Sequence, residues 1–319
     1  MDCLGLALAN SLATLKLFAM RWNRRIFHYV LSAINKDWNE CIKYEISRSI
    51  MMRAANQSRR CSYLLIGIHA MAGFALSIGA YMFRSVNTDV RELPVKMEFS
   101  FDFTKSPLFE CILVVQFLYI LTIASIVGMI NALLASLVLH VGGQIDIMRH
   151  DLLQIPVDND PRISLAVIRN LVLRHRKIII LADNIETVFT VIALMQLLWN
   201  TLIICCSGLM IVISLSIKKG MTALVKSMLL YVAKTIEVFV FCYAGEFLSA
   251  KSKSISDAVY ESLWYDMLPS NSRVLLFIIV RSQKRLTITA GKIVDLTLDG
   301  FMSVMKASAS YMSVLHAMY

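Results

Sequence analysis

The chain has 319 residues, 57% apolar and only 17% charged, with a formal net charge of +10 and a mean hydropathy of +0.64. Ordinary soluble domains are close to half apolar and a quarter charged, and here the excess is gathered into long windows. That excludes a soluble enzyme, a disordered chain and a disulfide-framed secreted scaffold, and predicts an all-α, polytopic helical membrane protein.

In chain order the predicted spans are 1–19, 61–83, 109–139, 187–217, 221–245 and 293–317. A hydrocarbon core of about 30 Å needs roughly 20 apolar residues per helix, a length the windows reach. The first is marked by Asp2 and Lys16, the fifth by Lys226, Lys234 and Glu237, and the last by Asp295, Asp299 and Lys306. The run 274–280 is too short to span and reads as a buried cytosolic helix segment. The third and fourth windows are 31 residues each, about 46 Å as helix, so they must tilt or project into the cytosol. The segment 141–186 carries helical patterning at Leu165, Ile168, Leu171 and Val172. All five prolines, Pro94, Pro107, Pro156, Pro161 and Pro269, fall between spans. Broken helices of the transporter type are therefore not expected, and no internal repeat is visible.

Basic residues orient the bundle. Segments 20–60, 141–186 and 246–292 hold nine, six and seven lysines and arginines, whereas 84–108 and 218–220 hold four and two. The richer side is cytoplasmic, which places both Met1 and Tyr319 outside. The basic residues lie between apolar windows rather than on one face, so no nucleic-acid partner is expected. No basic leader with a small-residue cleavage site precedes the first window, so no signal peptide is read. An outside N-terminus then implies a short translocated tail or an upstream span that this sequence lacks, and the second is favoured. The one glycosylation sequon, Asn56-Gln57-Ser58, falls on the cytosolic side and should stay bare.

Catalytic and metal chemistry have no support. The seven cysteines show no CxxC and no Cys/His cluster of zinc spacing, no HExxH, GxSxG, P-loop or EF-hand pattern occurs, and no cofactor is expected. Charged groups at membrane depth cost about 2.5–3.5 kcal/mol each on insertion scales, so they face protein or water. Lys234 and Glu237, at i and i+3, pair as structure or line a ligand cavity or ion path. Asp295, Asp299 and Lys306 share one predicted face of the last helix. Val314 and Met318 continue a stripe above Ser310 and Ala307, the pattern of a polar lumen closed by an apolar ring, or of ordinary contact with lipid or neighbouring helices.

The C-terminal third is more particular. Phe241-Cys242-Tyr243-Ala244-Gly245 is followed by Ser254, Ser256, Asp257, Ala258 and Tyr260, then Trp264-Tyr265. After Arg273 come 275–279, Arg281-Ser282-Gln283-Lys284, Ile288-Thr289-Ala290-Gly291-Lys292 and Phe301 through Ser310-Tyr311. The order and spacing of these blocks resemble the insect odorant receptors, and Asp37-Trp38 resembles the family's early cytosolic segment. The related gustatory receptors end in a Thr-Tyr…Gln-Phe signature that Ser310-Tyr311…Met318-Tyr319 does not match. The short segment 141–186 resembles a tuning subunit rather than the family's co-receptor.

The resemblance implies a heptahelical fold with a cytosolic N-terminus, of which six spans are visible here, the first being absent. It implies a plasma-membrane subunit, in an olfactory neuron dendrite, that binds a small volatile odorant and gates a non-selective cation channel as a heterotetramer with the co-receptor. Residues 1–245 would form the odorant-binding bundle, 246–292 the cytosolic anchor and 293–319 the pore-lining last helix. The gate falls at Val314 and Met318, with Asp299, Lys306 and Ser310 lining the pore. The odorant pocket is expected in the outer half among Phe74, Ile78, Tyr81, Val115, Tyr119, Thr122, Met228 and Tyr231. Two alternatives stand: a gustatory-type ligand-gated channel, and a G-protein-coupled receptor, which would require Tyr319 in the cytosol.

Overall fold

The computed structural model describes residues 2–82, 107–155, 161–216 and 221–317. Helices α1 (Asp2–Trp22) and α2 (Arg24–Cys41) are followed by α3 (Glu45–Met82), α4 (Leu108–Leu153), α5 (Pro161–Ser216) and α6 (Met221–Glu261). A 3-10 turn, Trp264–Asp266, leads to α7 (Pro269–Gln283). A two-stranded hairpin, β1 (Thr289–Ala290) and β2 (Val294–Asp295), then precedes α8 (Leu298–Ala317). The two helix-initiating prolines, Pro161 and Pro269, occupy first-turn positions, where the missing N–H is no loss and φ is already helical.

Among the described residues three stretches are apolar and long enough to cross a bilayer, Leu108–Leu153, Leu165–Leu215 and Ser227–Glu261. The other expected windows fall in α1, α3 and α8. With 46 and 56 residues, α4 and α5 are about 69 and 84 Å long, more than twice the hydrocarbon thickness. Their excess lies on the basic side and builds the projecting subdomain that the long windows imply. There Ile145, Met148 and Leu152 of α4 pack against Ile178, Leu181 and Ile185 of α5 and Leu248, Ile255 and Val259 of α6. Outside the membrane each such side chain contributes about 1.5–3 kcal/mol by leaving water. Ion pairs stitch the rim: Lys251 to Asp146 at 2.6 Å, Arg174 to Asp151 at 2.7 Å and Lys177 to Glu40 at 3.1 Å. Asp37 meets His140 at 3.1 Å, and Trp38 packs beside Cys41, Met51 and Ile147.

Three sequence expectations change. Of the patterned residues in α5, Ile168 and Leu171 are buried but Leu165 and Val172 are exposed, so the buried stripe is narrower than the periodicity implies. The run 274–280 lies in α7 as expected, yet only Leu275 and Ile278 are buried, and Leu276, Phe277 and Val280 form a bare apolar face. Asp295 is not on the last helix. It pairs with Thr289 across the hairpin, whose turn places Gly291 and Lys292 at φ +63 and +59 and closes with the Ile293 N–H donating to the Ala290 carbonyl at 3.1 Å. Both central residues left-handed make a tight turn whose twist suits a hairpin. Gly291 and Lys292 donate their N–H groups to the Thr190 carbonyl and hydroxyl, and Thr289 donates to Glu186, so α5 holds the hairpin in place.

One buried group in the projecting part of α5 makes stability depend on pH. His175, 6% exposed in α5, is pulled down to about 4 by burial, with the Arg281 charge adding to the effect. The folded state therefore keeps the ring neutral while the unfolded chain protonates below about 6.5. Stability is full above that value and is lost as pH falls toward 4, by about 2–3 kcal/mol. Melting curves of the detergent-solubilised protein from neutral pH to pH 4 should show that loss, and His175→Phe should flatten it; an equally steep slope in the variant would contradict the assignment.

Candidate functional site

At the centre of the bundle five helices contribute polar side chains to one buried cluster. On α6, Lys234 Nζ donates to Glu237 Oε1 at 2.8 Å, so the i, i+3 pair forms as its spacing allows. Asn200 of α5 donates to the other carboxylate oxygen at 3.0 Å. His69 of α3 places Nδ1 3.7 Å from Glu237 Oε1, and its Nε2 lies 3.1 Å from Asn131 Nδ2 of α4. Gln196 reaches the Glu237 main-chain carbonyl at 3.5 Å, a weak contact. Lys16 of α1 is 1% exposed, and among the described residues its Nζ has no hydrogen-bond partner.

Local sequence explains how the cluster closes. Gly128 of α4 faces α3 so closely that a Cβ there would meet Ile66 Cα at 3.1 Å and the His69 ring at 3.2 Å. Gly73 of α3 similarly faces Ala124, whose Cβ would be 3.1 Å away. Small residues let membrane helices approach each other, and here the approach presses His69 inward. The Lys234–Glu237 pair was legible because both partners lie on one helix. Lys16, His69, Asn131 and Asn200 meet only through tertiary packing; their signal is a polar or charged side chain inside an apolar window.

The residues expected to bind ligand lie outward of this cluster. Phe74 stands edge-on to Phe117, with ring centroids 6.0 Å apart. Ile78 and Tyr81 belong to α3, but their side chains lie outside the described residues. Val115, at 65% exposure, with Tyr119 and Thr122, lies on a face of α4 that the described residues leave exposed, and the Thr122 hydroxyl returns to the Leu118 carbonyl at 2.7 Å. Met228 is exposed, while Tyr231 is half-buried against the core. The segment 83–106, which adjoins these positions in the chain, also lies outside the described residues. A wide cleft of about 920 Å³ opens instead at the basic end of the bundle between α2, α4 and α5, lined by charged groups such as Glu40, Asp151 and Lys177. Burial raises the Asp151 carboxyl there, against the opposing pull of Arg174.

The last helix divides cleanly. Ser308 is buried, and the Phe301 ring meets Phe239 of α6 edge-on at 5.6 Å. Asp299, Lys306, Ser310 and Val314 all lie on the opposite, exposed face, with Val314 at 56%. Met318 lies outside the described residues. The exposed face also carries Met302 and Ser303, so it runs along the helix as a polar-to-apolar stripe that the described residues leave uncovered.

Comparison with known proteins gives this arrangement a context. A family profile described as 7tm Odorant receptor matches residues 3–309. Odorant receptor 2a of Drosophila melanogaster is 37% identical over 94 residues, covering 30% of this chain but only 24% of that receptor's length. Odorant receptor 82a of the same fly is 20% identical over 323 aligned residues, covering 98% of this chain and 83% of that receptor. Among solved structures, the insect olfactory receptor OR5 from Machilis hrabei in complex with eugenol superposes with a TM-score of 0.70 at 14% identity, over 99% of this chain and 88% of that one. The last likeness is one of fold.

Proposed function

The chain belongs to the insect odorant receptor family, a family of multi-pass membrane receptors and not of enzymes, and on that premise we propose that it is the ligand-tuning subunit of an odorant-gated, non-selective cation channel. The match over residues 3–309 carries this reading. In it the chain assembles with a co-receptor as a heterotetramer in the plasma membrane of an olfactory dendrite. The bare faces of α7 and α8 support an assembly. Leu276, Phe277 and Val280 then pack between subunits in the anchor segment 246–292, and the α8 stripe turns toward the channel axis. Asp299, Lys306 and Ser310 line the conduit, and Val314 with Met318 closes it by dewetting.

The odorant site lies in the outer half, among Phe74, Ile78, Tyr81, Val115, Tyr119, Thr122, Met228 and Tyr231. A small volatile ligand burying roughly 200–250 Å² gains about 5–6 kcal/mol, a dissociation constant on the order of 0.1 mM before polar contacts are counted. Such binding opens the channel only to the extent that the open state binds the ligand better than the closed one. Filling the outer half moves α8 so that the apolar ring leaves the axis. Val314→Ala or Met318→Ala, co-expressed with a co-receptor, should raise the ligand-free current severalfold or change ion selectivity. Wild-type currents from both would refute the gate assignment.

A further inference from the structure

The central cluster is unbalanced in charge. It holds two lysines and one glutamate, and that carboxylate is already engaged by Lys234 and Asn200. Among the described residues no group hydrogen-bonds the Lys16 ammonium. A buried ammonium with no partner is costly unless an anion joins it or it gives up its proton. The carboxamides of Asn131, Asn200 and Gln196 beside His69 and Glu237 each have a buried oxygen without a hydrogen-bond partner among the described residues. Asn131 can turn to offer its NH₂ when His69 donates from Nε2, whereas Asn200 and Gln196 keep their NH₂ groups on Glu237.

The cluster also lies directly inward of the expected ligand positions. Lys234 is three residues, about 4.5 Å of helix, inward of Tyr231, and His69 is five residues, about 7.5 Å, inward of Phe74. We infer that Lys16 anchors an anion subsite that receives the carboxylate head of a small organic acid, whose apolar tail lies outward between α3, α4 and α6. This deepens the odorant-receptor reading and rests on it. A free inorganic anion carries the same chemistry, so the experiment separates the two sources.

The channel formed with a co-receptor is tested at neutral pH with butanoate, hexanoate and octanoate and with their methyl esters. Lys16→Met should raise the half-maximal concentration of the acids about tenfold or more, while the esters move less than about twofold. Lys16→Arg should keep the acid response. In detergent, hexanoate should raise the melting temperature of the wild type and not of Lys16→Met, and the unliganded variant should melt no lower than the wild type because its unpaired cation is gone. Replacing chloride by gluconate supplies the other arm: a loss of ester-evoked current in the wild type alone assigns the subsite to a free anion. The inference is overturned if acid potency, the hexanoate thermal shift and chloride dependence are all the same in the wild type and Lys16→Met. Failure of every acid and ester to evoke current, with the thermal shift intact, counts against the channel reading and leaves the subsite standing.

Discussion

Replacing Glu237 with glutamine is expected to cost about 3–5 kcal/mol, the penalty for breaking a buried ion pair. Glu237 is 1% exposed and is the partner of Lys234, Asn200 and His69 at once. Glutamine keeps the shape and the hydrogen-bonding length of the side chain and removes only the charge, so two buried ammonium groups remain without a carboxylate. At membrane depth that arrangement also raises the cost of insertion, by about 2.5–3.5 kcal/mol per charge. Surface labelling should find little Glu237→Gln at the plasma membrane. Adding Lys234→Met should recover most of it, because that double variant returns the cluster to a single unpaired amine. Additive losses in the two variants would show that the pair is not coupled.

Gly245→Ala is expected to be the most damaging exchange of its size. A Cβ at Gly245 would run into the backbone carbonyl oxygen of Leu296 and lie 3.0 Å from the Leu296 Cβ. That backbone has no freedom to retreat: the Leu296 N–H donates to the Ile288 carbonyl at 2.9 Å, the side chain is buried, and the hairpin beside it is held by Thr190 and Glu186. Next along α6, Glu246 accepts the Leu298 N–H at 3.3 Å, at the first residue of α8. The added methyl must therefore push the start of α8 away from α6, at a cost of about 3 kcal/mol, the upper end for overpacking. In the channel reading the same displacement changes the resting position of the pore helix. Gly67→Ala is the control, since its Cβ would meet nothing within 4 Å. Melting temperatures should fall for Gly245→Ala and not for Gly67→Ala; equal behaviour of the two would contradict the close approach.

Much of this architecture is legible in the chain because a bilayer imposes one constraint everywhere. Apolar windows must be helices, and lysine and arginine must crowd one side. That reasoning places the helices and predicts that α4 and α5 overrun the membrane. It fails where the medium changes. Residues 293–297 continue an apolar run into the last helix, yet Gly291 and Lys292 turn the chain and put Asp295 in a strand instead. The central cluster is half legible for a related reason. Lys234 and Glu237 announce each other by spacing, whereas His69 and Glu237 are far apart in the chain and meet through the rotation of α3 and α6, which periodicity does not specify. The α8 stripe was visible as a stripe, but only packing tells which side is covered, and Ser308 and Phe301 take the covered side.

The most direct measurement of the central claim is whole-cell current from this chain expressed with a co-receptor, under a chemically broad odorant panel, with surface expression verified in the same cells. The account predicts a rapid cation current to at least one small odorant that is absent when either subunit is omitted, and that rests on Val314 for its closure. A chain present at the surface with its partner and silent to the whole panel, or one whose responses persist without any conductance of its own, would contradict it.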